Sequence, residues 1–132
     1  MTDIVRIMHH VIPNPVYAQY HKLITLFTQG KFDQNAMYNI VFLPVEAEDA
    51  LRENLVMYGT DSEPLIRSVA ESMDHIAGLG SVAEQNKSFM GAHSHFRGAL
   101  SLDAPHPTFI NRNDPRLAAY LGVTRRHGSS TA

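Results

Sequence analysis

Eight histidines in 132 residues supply the side chains best suited to chemistry near neutral pH, since imidazole alone changes charge there without perturbation. His93-Ser94-His95 would chelate a metal from a strand, where residues two apart share a face. On a helix the two rings diverge by about 200° and cannot hold one ion together. His9 and His10 are neighbours with the same difficulty, and His106 sits in a loop, free to join any of them. No His-x-x-x-His pair and no His-Glu-x-x-His motif occurs. The spacing therefore reads His93, flanked by Phe89 and Phe96, as a buried or interface histidine. A histidine-based metalloenzyme with His93, His95 and His106 as ligands is the alternative.

Other chemistry finds less support. The carboxylates Glu46, Glu48, Asp49 and Glu53 fall on expected solvent faces rather than in facing acid–base pairs. There is no Gly-x-Ser-x-Gly elbow, and Gly78-Leu79-Gly80 reads as helix punctuation rather than a phosphate loop. We assign no catalytic residue, no metal and no cofactor, and the expected class is non-enzymatic.

The elements that would position these groups are cut out by Pro and Gly. The length suits one domain with a self-sufficient core, and the 44% apolar content argues against intrinsic disorder. The absence of cysteine excludes disulfides, thiolate catalysis and Cys-type metal sites. With no basic leader at Met1-Thr2-Asp3 and no run of about 20 apolar residues, a cytoplasmic, non-membrane setting is expected. Charge is uneven. Residues 1–86 carry five Lys/Arg against eleven Asp/Glu, whereas 87–132 carry six against two. A basic end of this kind suits docking on an acidic face or on nucleic acid.

Apolar residues at Ile4, Val5, Ile7, Met8, Val11 and Ile12 follow a helical period that Pro13 ends. Asn14-Pro15 opens a second helix, with Asn as N-cap, and Gly30 closes it. A short helix is expected over 33–41, although 38–43 also suits a buried strand. Pro44 introduces a helix to about Tyr58. Leu65, Val69, Met73 and Ile76 mark one apolar face of the next, with Arg67 and Glu71 paired opposite at i, i+4. Ser81-x-x-Glu84 is a capping box starting a helix through Leu100. A Pro-rich loop near 103–113 follows, then a short helix over 116–121 ended by Gly122.

The expected fold is mainly α, an irregular bundle of about five to seven helices, with an α+β arrangement including a small sheet at 38–43 as the alternative. Residues 1–122 form the expected single domain and 123–132 a tail. The helix over 82–100 is the candidate subunit contact, through Phe89, Gly91, His93, Phe96, Gly98 and Leu100. Gly91 and Gly98 stand one heptad apart, and close approach of a neighbouring helix, in the same chain or another subunit, would offset their low helix propensity. Arg112, Arg116, Arg125 and Arg126 are the candidate docking charges. The leading reading is a structural or protein-interaction subunit, homo-oligomeric or part of a larger assembly such as a virion. The alternative is a nucleic-acid-associated regulator using the helix start at 81–87 and the basic C-terminal segment.

Overall fold

The computed structural model describes residues 5–59, 61–106 and 108–129, without the side chains of 123–129. The described residues are mainly helical and form five α-helices and a two-stranded sheet. Strand β1 (Arg6–His10) pairs antiparallel with β2 (Ile40–Pro44), Met8 opposite Phe42. The expected first helix is therefore a strand, and the expected helix at 33–41 is a 3-10 turn over Met37–Asn39 leading into β2. Both segments are short, and their pairing with each other outweighs the helical period read over residues 4–12.

Helix α1 (Asn14–Thr28) starts one residue earlier than the Asn-cap reading requires. Pro13 occupies the N-cap, and the Asn14 side chain accepts a hydrogen bond from Gln34 at 2.8 Å instead of capping. The helix ends with Gln29 at φ 56° and Gly30 at φ 72°, the second in a conformation that favours glycine. A buried polar clamp fixes the entry to α1. Asn39 Oδ1 accepts from Ile12 N–H at 3.0 Å while its Nδ2 donates to the Gln34 carbonyl at 2.9 Å. Gln34 Nε2 donates to the Ile12 carbonyl at 2.7 Å. The buried amides thus satisfy one another and the backbone, as burial demands.

Helix α2 (Ala47–Glu53) is shorter than the expected run to Tyr58. Asn54 turns into the left-handed region, and 55–58 continue extended, with Met57 bridging Ile110 and Leu55 bridging Ser101. The Arg6 guanidinium pairs with Glu53 and ties β1 to the end of α2. Helix α3 (Glu63–Ala77) matches its apolar period, although Arg67 pairs with Glu63, at 4.0 Å, rather than Glu71. Helix α4 (Val82–Gly98) begins as expected, with Ser81 Oγ accepting from Glu84 N–H at 3.1 Å. Helix α5 (Pro115–Ser129) runs past Gly122, across the expected domain boundary.

Helices α1, α3 and α4 pack around one core that includes Ile24, Phe27, Val69, Met73, Ile76 and Phe89. A second cluster joins Ala50, Met57, Leu102, Ile110 and Leu117, and it seats the start of α5 on α2. Each fully buried aliphatic or aromatic side chain contributes about 1.5–3 kcal/mol relative to exposure. None of the described helices is long and apolar enough to cross a membrane.

Candidate interaction site on helix α4

Helix α4 divides its residues between two faces. Phe89 is completely buried, with its ring 5.1 Å from both Phe27 and Phe32. Leu100 and His93 are buried as well, and His93 sits edge-on to Phe32 at 6.2 Å and Tyr38 at 5.9 Å. Three of the six expected subunit-contact residues therefore serve the protomer's own core. Burial, reinforced by the nearby Arg97, lowers the His93 pKa, and its Nε2 has no hydrogen-bond partner among the described residues. Phe96 is half-buried and lines a groove between α3 and α4.

That groove has a volume of about 570 Å³ and is floored by small side chains, Ser72, Ser88 and Ala92, with Glu71, His75 and His95 around them. The remaining two expected contact residues lie elsewhere on α4. Gly91 and Gly98 are exposed, and a Cβ added to either would meet nothing within 4 Å. The close in-chain neighbour that would account for them is absent among the described residues. Together with Lys87 and Ser94 they form an exposed stripe at i, i+4, i+7 and i+11, and Met90 beside it is 55% exposed.

The expected docking arginines are partly occupied. Arg112 pairs with Asp103, and Arg116 pairs with Asp114 at 2.7 Å, an interaction that lowers the Asp114 pKa and raises that of Arg116. Arg125 and Arg126 lie on the last turns of α5, and their side chains are outside the described residues. At the start of α4 Gln85 is buried, which withdraws one amide that a base-reading helix would offer.

The histidines fall into separate environments. His93 faces the core, and His95 projects from the other side of α4 beside Phe96 and the groove. His106 stacks on Phe109 with ring centroids 4.9 Å apart. Its Nδ1 accepts hydrogen bonds from the backbone N–H groups of Thr108, at 3.1 Å, and Phe109, at 2.9 Å. That arrangement puts the ring proton on Nε2, so the nitrogen left over is a donor and cannot also ligate a metal as neutral imidazole. Among the described residues no group of three or more His, Asp or Glu is placed to hold a metal ion. Burial lowers the His106 pKa to about 4, and burial, with His106 and His10 adding, lowers His9 to about 4.

Sequence reasoning missed His9. Read as part of a helix, it would face away from the core. On β1 it shares a face with Val41, directly opposite on β2, and its ring meets Phe109 edge-on at 5.1 Å. Comparison with family models, with curated proteins and with solved structures finds no match for this chain.

Proposed function

We propose that this protein is a non-enzymatic, self-associating subunit in which the exposed stripe of α4 packs against α4 of a second copy. The observation that carries the reading is the pair Gly91 and Gly98, exposed and facing open space on a 17-residue helix. Glycine in a helix interior costs about 1 kcal/mol relative to alanine. Nothing within the described protomer offsets that cost at Gly91, whereas a second helix crossing there would approach closely and gain contact along its length. Met90 supplies an exposed apolar side chain beside the stripe, of the kind enriched at interfaces. The helix is about 25 Å long, enough for the centre of a dimer contact.

A second contribution comes from charge. The acidic first part of the chain and the basic C-terminal part are complementary between copies, and Arg125 and Arg126 on α5 are the basic groups for that docking. The setting is a homo-oligomer or a larger particle built from this subunit. Light scattering behind a sizing column tests the reading. A mass that is a multiple of 14.7 kDa, falling to the monomer when Gly91 becomes Gln, is the expected result. A protein that stays monomeric at the highest soluble concentration, in low and high salt alike, overturns it.

A further inference from the structure

A cavity of about 210 Å³ opens where β1 runs into α1. Four stretches of chain that are distant in sequence bound it: the end of β1 with the turn after it, Tyr58, the start of α3, and Phe109. Its walls are flat. The Tyr58 and Phe109 rings lie 5.2 Å apart, His9 meets Phe109 edge-on, and the rings of Pro13 and Pro15 complete the surround. His106, locked by its two backbone hydrogen bonds and stacked on Phe109, backs that wall.

Five polar side chains share the lining with these rings; His10, bonded to Asn35, and Asn14, which accepts from Gln34, are engaged, and three others are not. Ser62, at the N-cap of α3, makes no side-chain hydrogen bond to its helix. Among the described residues, neither the His9 imidazole nor the Tyr58 hydroxyl has a hydrogen-bond partner. Among the described residues no Asp, Glu, Lys or Arg lines the cavity, and Asp61 and Glu63, near the start of α3, place negative charge close by. A ring-walled cavity of mixed apolar and polar lining, with a few unengaged donors and acceptors, suits a small polar ring molecule. The volume is below the roughly 300–1,000 Å³ of sites for drug-sized ligands, so a single ring is the fitting size.

We propose that this cavity binds a small, uncharged, planar ring compound carrying an amide-type donor and acceptor, of about the size of nicotinamide. The ring lies against Phe109 and Tyr58, while His9 and the Tyr58 hydroxyl hydrogen-bond its polar edge. With a pKa of about 4, His9 is neutral at pH 7 and presents both a donor and an acceptor nitrogen. A carboxylate of the same size finds no Lys or Arg partner among the described lining residues and is desolvated without compensation. The site does not depend on the association through α4.

The test is a 1H–15N correlation titration of the full chain with nicotinamide and benzamide, and with nicotinate and benzoate as anionic counterparts. Concentrations to about 20 mM saturate a site of millimolar affinity. Saturable shifts from the two amides, confined to residues around His9, Ser62, Ile66 and Phe109, are expected. The variants Tyr58→Phe and His9→Phe each keep a ring in place, and the dispersion of their free spectra reports that the fold persists. Each should weaken amide binding about three- to tenfold, the net worth of one hydrogen bond. The proposal falls if the amides give no saturable shifts, if the carboxylates bind as tightly as the amides, or if both variants bind unchanged.

Discussion

Replacing Gly91 with alanine separates the stability of the protomer from its association. The residue lies in the interior of α4 with a negative φ, and its added methyl would meet no atom within 4 Å. The substitution therefore introduces no clash in the protomer and removes the entropic penalty of glycine, a gain of about 0.8–1.0 kcal/mol. For a 132-residue chain the unfolding entropy is about 0.28 kcal/mol/K near 60 °C, so the gain raises Tm by about 3 °C. Thermal and urea unfolding at concentrations where light scattering reports the monomer measure this term alone. At higher concentration the expected sign reverses. A second α4 approaching over Gly91 must move outward to admit the methyl, so Gly91→Ala weakens the dimer while it stabilises the monomer. Gly98 is the last residue of α4, where propensity counts for less, and Gly98→Ala gives a smaller monomer gain with the same loss of association. A monomer destabilised by Gly91→Ala would refute the open-space geometry. A monomer stabilised as expected, with dimerisation unchanged, would refute the α4 contact.

Three further outcomes follow from the interior. The pKa values of His9 and His106, about 4 each against 6.5 in the unfolded chain, mean that the unfolded state binds more protons between those limits. Stability is then fully present above pH 6.5 and is lost as pH falls toward 4, by on the order of 3 kcal/mol for His9 and less for the more exposed His106. Urea unfolding at pH 7, 5.5 and 4.5 measures the slope, and His9→Phe should flatten it; an unchanged slope would contradict the assignment. Asn39→Ala strips the hydrogen bonds from Ile12 N–H and to the Gln34 carbonyl inside the fold, at an expected cost of about 2–4 kcal/mol by denaturant unfolding. Phe89→Ala empties a fully buried site between Phe27 and Phe32 and should cost about 3–5 kcal/mol; a cost under about 1 kcal/mol would show that Phe89 is not part of the core.

Much of the helical frame was legible in the residues. The apolar period of α3, the Ser81 cap of α4 and the left-handed close of α1 at Gly30 are local signals, encoded within a turn or two of where they act. The site was less so. Phe89, His93 and Leu100 share a seam that looks the same whether it faces the chain's own core or another subunit, because burial in either place asks for the same apolar residues. Gly122 looked like a stop but lies inside α5, since the backbone of a helix accommodates glycine at a modest cost that its neighbours can carry.

Sequence alone determined that the chain is mainly helical, where α1, α3 and α4 lie, and that cysteine chemistry is absent. The tertiary structure alone decided that residues 6–10 form a strand, because their partner at 40–44 lies some thirty residues away and pairing is a property of the two together. It likewise decided which histidines meet. His9 and His106 are nearly a hundred residues apart, and only the strand register and the loop at 106–109 bring them to the same phenylalanine ring. Local periodicity carries no information about such meetings, since a contact between distant segments depends on how every intervening element packs.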